Sequence, residues 1–434
     1  MDKMADVLGR AGAWCGQNKY LSAIKNAFQN FMPLTIAGAI GVLWCNVLVN
    51  DQTGLGLFFK PIMALDFLNP AFQAVNFCTI SCITVGITLG IAQEIGVWNM
   101  GAERAGYIPG LVGLAAWLSV TNTSHMVEGA KEAFTGIAGN ELGATGLFTG
   151  MIIGVLSVEL FCFFEKQDAL KIKMPEQVPP GVARAFEVLV PATITLIITA
   201  CIGSACYNLT GLYLNDVIKN GIQGPLGAVG ATIPGVMIIY LVIMLFWLVG
   251  IHGNNMLSAV KEALFTPLAL ENVEAFNKGE TPKNIINMYF LQMCGEFGGS
   301  GVTIGLVIAI MIFGKREDNK AIATLSLVPG LFNINETVTF GIPMVLNPIL
   351  GIPFVFACLV TILVGYVLKV IGFCPVACLT VPWTTPPIVF GFLACGANVM
   401  GAVTQAILIV VSTVIYVPFL ISYEKYQNKQ AAEA

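Results

Sequence analysis

Apolar runs of about twenty residues, each long enough to cross a hydrocarbon layer of about 30 Å, recur along this chain between short polar breaks. In the first half they are simple. One covers residues 22–48 and ends at the polar turn of Asn50, Asp51 and Gln52, and others centre on 72–92, 105–121, 143–165, 187–208 and 229–250. After residue 250 the pattern changes. The stretches 251–270, 284–300 and 324–350 are apolar but cut by Gly, Pro and Asn, so two of these regions are expected to be re-entrant hairpins that descend part-way and return. Spans at about 301–314, 353–372 and 388–421 complete the set. The pattern predicts an all-α integral membrane protein with about ten transmembrane helices, two re-entrant hairpins and amphipathic surface helices.

Residues 1–18 read as an amphipathic surface helix with Trp14 as its interfacial anchor. Residues 19–170, with the span 187–208, read as an N-terminal membrane subdomain. In it Pro33 should kink the first span, and Gly146, Gly150 and Gly154, spaced by four, allow a close helix contact. A charged, Pro-rich connector at 171–186 separates this part from a second membrane subdomain at 209–424, and 425–434 form a short tail. No internal repeat is evident. Lys and Arg gather at Lys19 and Lys25, in the 166–184 connector, at Lys315, Arg316 and Lys320, and at Lys425 and Lys429, whereas 49–70 and 209–228 hold few. The positive-inside rule then places both termini and the 166–184 and 315–320 connectors in the cytoplasm, which requires an even number of crossings.

Composition agrees with this pattern. Of 434 residues 56% are hydrophobic and 11% charged, with a mean hydropathy of +0.80, where a soluble domain carries about 25% charged residues. The net charge of −4 includes no basic patch of the kind nucleic acid needs. The polar start lacks the apolar core and cleavage site of a removable signal peptide. The twelve cysteines are scattered, mostly inside apolar runs, where thiols behave as small hydrophobes. Cys374 and Cys378 have no His or further Cys close by in sequence, so the pattern calls for neither metal nor cofactor. A phosphate loop of the Walker type, a Gly-x-Ser-x-Gly elbow and a zinc-protease HExxH helix are all missing from the sequence. Energy for uphill transport must then come from an ion gradient or a partner.

The candidate chemistry lies in the interrupted half. Glu336 sits between long apolar runs, in a stretch broken by Asn333, Asn335 and flanking Gly and Pro. An ionisable group at that depth normally faces a polar cavity and marks a substrate or ion path. His252, one of two histidines, directly follows the apolar run 236–251 and is flanked by Gly250 and Gly253, which permit positive φ or a close backbone approach. The plainer alternative for His252 is a helix-end residue at headgroup level. His125, in a polar loop, reads as solvated. An imidazole and a carboxylate together suit a sugar hydroxyl: the ring donates or accepts, and the carboxylate accepts the hydroxyl proton and raises the oxygen's nucleophilicity. Asn333, Asn335, Asn254 and Asn255 add amides that bond in both directions, Glu296 is a plausible second polar wall, and Trp383 offers either a stacking face for a pyranose or an interfacial belt residue. Glu94, Glu159 and Glu165 lie near span ends, where snorkelling or ion pairing accounts for them.

These residues resemble the membrane component (enzyme IIC) of sugar phosphotransferase systems, in the lactose/cellobiose/diacetylchitobiose family. The likeness runs from Lys19–Pro33 through the connector 172–187 to Gly250-Ile-His-Gly253, Gly298–Gly301, Phe332–Glu336, Phe340–Pro348 and Val381–Pro386. It implies a homodimeric permease in a bacterial inner membrane, its first five spans building the dimer interface and its second part holding the sugar. The family's site His and Glu fall on His252 and Glu336. The sugar's 6-hydroxyl would lie beside them and receive phosphate from a phosphocysteine on a cytosolic IIB partner, itself supplied by IIA. The permease would have no independent catalytic chemistry. Two positions depart from the family pattern: Thr337 stands where Pro usually follows the site Glu, and Thr339 is more polar than usual. The lack of a fused IIB domain leans toward a cellobiose or diacetylchitobiose type. The rival readings are a proton- or sodium-coupled sugar carrier in which Glu336 carries the proton, and an intramembrane enzyme.

Overall fold

The computed structural model describes residues 10, 13, 14, 17–51, 55–125, 134–175, 177–225, 230–342 and 344–433. The surface helix expected over 1–18 falls largely outside them, as does part of the polar loop around His125. A chain in lipid must close its own backbone hydrogen bonds, and the described residues are helical almost throughout. Among them the only strands are Ser124–His125 and Phe134–Thr135, an antiparallel pair.

In chain order the first helices are α1 (Lys19–Leu43, prolonged by a wider turn at Trp44–Leu48), α2 (Ile83–Met100), α3 (Ile108–Val120), α4 (Ala144–Glu165) and α5 (Pro180–Thr210). There follow α6 (Ile233–Leu248), α7 (Ser258–Asn277), α8 (Met288–Gly295), α9 (Ile304–Phe313), α10 (Glu317–Leu331), α11 (Glu336–Gly341), α12 (Gly351–Val370), α13 (Val389–Ala394) and α14 (Val399–Glu433). Among the described residues five helices are long and apolar enough to cross a membrane: α1 with its extension, α4, α5, α12 and α14. Two bent pairs raise this to seven, namely Lys60–Ser81 with α2 at 42° and Met288–Val302 with α9 at 59°. Helices α3 and α6 are apolar but shorter. One of these bends, between Val302 and Ile304, falls in the interrupted half next to Gly298, Gly299 and Gly301; the other, between Ser81 and Ile83, falls in the first half, inside the stretch 72–92 where hydropathy gives no sign of a break.

The chain divides into two units. One comprises Gln17–Gly38 and Val75–Ala228. Here Gly150 and Gly154 of α4 meet α2, while Gly146 packs on the Glu141 backbone just before α4. A Cβ on Gly150 would lie 2.2 Å from Thr88 Oγ1 and one on Gly113 of α3 2.3 Å from Ala92 Cβ, so the glycine backbones pack directly on α2 side chains, and at Gly154 a Cβ would lie 3.1 Å from the Thr88 carbonyl oxygen itself. Trp117 and Val120 of α3 fill the space between them and Ile153 of α4. The carboxylates at the span ends are satisfied. Glu159 pairs with Lys19 at 2.6 Å, and the buried Glu165 pairs with both Arg104 (2.8 Å) and Arg184 (2.9 Å). Glu94 accepts from Asn26 at 2.9 Å.

The other unit contains Ala39–Ala74 and Val229–Ala434. Residues 39–74 group here, whereas hydropathy placed them with 19–170. The contact that ties them to this unit is tertiary and leaves no trace in a hydropathy pattern: Asn46 Nδ2 donates to Asn277 Oδ1 at 3.0 Å, while Trp44 stacking on Phe72, with centroids 4.3 Å apart, holds the segment together internally. The core of this unit is large and aromatic, with Tyr240, Phe290, Phe297, Phe354 and Tyr416 fully buried. Tyr416 of α14 donates to the Gly301 carbonyl at 2.8 Å, and Gly305 of α9 lies against Ser412. The long helix α14 thereby anchors the break between α8 and α9.

Candidate functional site

Three helix breaks of the larger unit carry the polar groups. The first follows α6. Gly250 takes φ +82°, a backbone state that glycine adopts without strain. His252 then caps the turn Gly253–Met256, its Nδ1 accepting the Asn255 N–H at 3.2 Å. Gly253 serves a different end. A Cβ there would lie 2.0 Å from the Ile243 carbonyl oxygen, so the turn packs directly onto α6. The imidazole rests on the Trp247 indole, centroids 4.4 Å apart at 48°, and Trp247 is itself buried with its ring edge toward Phe354.

The second and third breaks clasp each other. Between α8 and α9 the chain turns through Gly298, Gly299 and Gly301, with φ of 68°, 88° and 75°. Between α10 and α11 it turns through Asn333, at φ 63°. The Gly298 N–H donates to Asn333 Oδ1 at 2.6 Å, and Asn335 Nδ2 donates to the Ser300 carbonyl (2.9 Å) and Thr339 Oγ1 (3.2 Å). Asn333 Nδ2 donates in turn to the Trp383 and Thr385 carbonyls. Two of the amides expected to face a ligand thus join the tips of these two helix breaks and fix the strap that carries Trp383. Thr339, one of the two positions noted above, supplies the hydroxyl to which Asn335 donates.

With the tips held, α11 begins at Glu336, whose carboxylate is left facing His252. Glu336 Oε1 and His252 Nε2 are 3.8 Å apart, and the two side chains are 47% and 37% exposed. Because Nδ1 accepts a backbone N–H, the neutral ring carries its proton on Nε2, directed at the carboxylate. The gap is too long for a direct hydrogen bond, and a hydroxyl oxygen about 2.8 Å from each atom fits at the apex between them.

Glu296 is held differently. It accepts from Tyr240 at 2.7 Å and forms an ion pair with Lys261, both partners well buried. Next to Lys261, Glu262 accepts from the Thr266 hydroxyl. Trp383 is 43% exposed, and Asn254 Oδ1 is buried with no partner among the described residues. His125 lies in the other unit, its Nε2 3.1 Å from the Asn122 carbonyl. Sequence reasoning missed Trp247, Tyr240, Lys261 and Glu262. The aromatic pair sits inside an apolar run, where aromatics read as packing. Lys261 and Glu262 read as an ordinary charged helix face, and the one available signal was a cation facing the unmatched acid Glu296 within the same apolar half.

A half-exposed acid and imidazole mounted on broken membrane helices define a polytopic membrane transporter. Residues 25–358 match the family described as the phosphotransferase system EIIC component. The chain is 33% identical over 429 residues to the oligo-beta-mannoside-specific EIIC component of Bacillus subtilis, covering 98% of this chain and 94% of that protein. It is 29% identical to the cellobiose-specific EIIC component of Lactococcus lactis, covering 98% of each. The crystal structure of the transporter ChbC, the IIC component of the N,N'-diacetylchitobiose-specific system, superposes with a TM-score of 0.88 at 29% identity over 97% of each chain. The chain belongs to the EIIC family, the membrane permease components that act with IIB and IIA proteins in phosphotransferase systems.

Proposed function

We propose that this permease carries a β-linked disaccharide of the cellobiose or diacetylchitobiose type and presents its 6-hydroxyl between His252 and Glu336 for phosphorylation. The observation that carries the reading is the open 3.8 Å gap between His252 Nε2 and Glu336 Oε1. In the proposed step the Nε2–H donates to the hydroxyl oxygen, and Glu336 accepts the hydroxyl proton as that oxygen attacks phosphorus. The phosphoryl group comes from a phosphocysteine on IIB, so the permease itself supplies only position and a proton acceptor. Trp383 supplies a stacking face, Asn254 a free amide oxygen, and Asn333 and Asn335 keep the tips in register. The names of the relatives favour β-linked glucosides or mannosides. In the same reading the protein is a homodimer in a bacterial inner membrane, the N-terminal spans form the dimer contact, and both termini face the cytoplasm with the basic connectors.

Uptake into right-side-out vesicles, with the soluble components loaded inside, tests this. Accumulation of labelled cellobiose should require phosphoenolpyruvate, IIA and IIB and should ignore an imposed proton gradient. Uptake driven by the gradient alone would instead make Glu336 the coupling group of a proton-linked carrier.

A further inference from the structure

Lys369 lies in the last turn of α12, 5% exposed, in an otherwise apolar setting. Its Nζ donates to the Pro375 carbonyl at 2.5 Å and reaches Cys374 Sγ at 3.4 Å and Cys395 Sγ at 3.5 Å. The two sulfurs are 3.7 Å apart, and both cysteines are buried. Among the described residues no carboxylate pairs with this lysine. The charge of a buried ammonium is costly, by several kcal/mol, unless an anion compensates it. The C-terminal end of α12 offers about half an elementary charge, and the Pro375 carbonyl offers a dipole. The groups in contact that can carry a full negative charge are the two thiols.

A thiolate beside a lysine is the reactive form of cysteine, and here a second thiol stands in near contact with it. We propose that Cys374, Cys395 and Lys369 form a peroxide-reactive dithiol site that closes to a disulfide. The ionised sulfur of the pair attacks one oxygen of hydrogen peroxide, the O–O bond breaks, and the departing oxygen leaves as water after taking a proton. The sulfenic acid so formed is attacked by the second sulfur. The S–S bond forms, the S–O bond breaks, and a second water leaves. The two sulfurs lose two electrons and the peroxide is reduced to two waters.

The placement gives the bridge a consequence. Cys374 begins, and Cys395 ends, the stretch of chain that carries Trp383. The Cys378 and Leu379 N–H groups already donate to the Ala394 carbonyl at 2.7 and 3.1 Å, so the two ends of this strap lie side by side. A Cys374–Cys395 disulfide closes the strap at its base. This inference stands on the thiol cluster and does not depend on which sugar is carried.

The full-length protein in nanodiscs, exposed to dilute hydrogen peroxide, alkylated and mapped by peptide mass spectrometry, tests it. The expected product is a Cys374–Cys395 disulfide that forms before oxidation at the exposed Cys78 and Cys201 and is reversed by dithiothreitol. Lys369→Met should slow its formation by about tenfold or more, since the thiolate fraction falls. Dimedone should trap a sulfenic acid on the remaining sulfur in Cys374→Ser or Cys395→Ser. Oxidation of Cys78 and Cys201 while Cys374 and Cys395 stay reduced would overturn the proposal, as would a bridge to Cys378. The wild-type map decides this even where the lysine variant fails to fold.

Discussion

Glu296 and Glu336 stand at two helix breaks of the same unit, and their surroundings differ in sign. Glu296 has Lys261 against it and the Tyr240 hydroxyl on the same oxygen, so its charge is matched and that oxygen is hydrogen-bonded from within the protein. Glu336 faces a neutral-tautomer imidazole across an open gap, with about half of its side chain (47%) exposed to an incoming group. A carboxylate that the protein has already neutralised contributes to the architecture and to the local field. One opposed only by a hydrogen-bond donor at a distance is left for a ligand. The contrast also explains why the two tips are joined by Asn333 and Asn335 rather than by either acid: amides satisfy backbone groups without adding charge to a region that already holds the carboxylates of Glu262, Glu296 and Glu336 and one lysine.

The largest effect should come from breaking the open side of this contrast. Glu336→Gln keeps the shape and one acceptor but cannot take the hydroxyl proton. Phosphorylation by IIB should fall by about 10²- to 10⁴-fold, with sugar binding, measured by calorimetry in detergent, changed far less. Equal losses in binding and turnover would show that Glu336 grips the sugar without serving as base. The second largest should come from breaking the closed side. Lys261→Met leaves the partly buried Glu296 without its cation, with only the Tyr240 hydroxyl on it, and should cost up to about 3 kcal/mol of stability in a denaturant titration. The double variant Lys261→Met/Glu296→Gln should recover most of that loss. A double variant as unstable as the single would show that the pair is not what holds this region. Next comes the joint itself. Asn335→Ala orphans the buried Ser300 carbonyl and should cost about 1–3 kcal/mol, read as lower stability together with weaker sugar binding.

Both acids were singled out in the sequence, but the partners that close off Glu296, Tyr240 and Lys261, were not. Glu336 and His252 stand out because each interrupts an apolar run beside residues that break helices, and lipid tolerates such a combination only around a cavity. The glycine stripe of α4 was equally plain, since spacing by four has one geometric meaning on a helix. The partition of residues 39–74, the tip-to-tip use of Asn333 and Asn335, and the Lys261–Glu296 pair all depend on which segments meet in space. Hydropathy carries no record of that. An amide in a broken segment looks the same in sequence whether it will bond a sugar or a neighbouring carbonyl. The placement of Glu296 between Tyr240 and Lys261 needed two residues whose partners lie more than thirty positions away.

The smallest effect separates two tryptophans that the same logic distinguishes. Trp247 is 2% exposed and lies under the His252 ring, whereas Trp383 is 43% exposed on the strap held by Asn333. If Trp247 acts only by supporting the imidazole, Trp247→Phe leaves the sugar's own contacts intact while giving the ring more room. An aromatic pair is worth about 0.5–1.5 kcal/mol beyond the area it buries, so the turnover of bound sugar should fall by about two- to tenfold with the dissociation constant nearly unchanged. Trp383→Phe should do the reverse, weakening binding by a similar factor and leaving turnover at saturation alone. Measuring both constants for both variants gives a crossed pattern. A shared loss in binding for the two would mean that Trp247 touches the sugar as well, and that the wall under His252 belongs to the ligand surface rather than to its support.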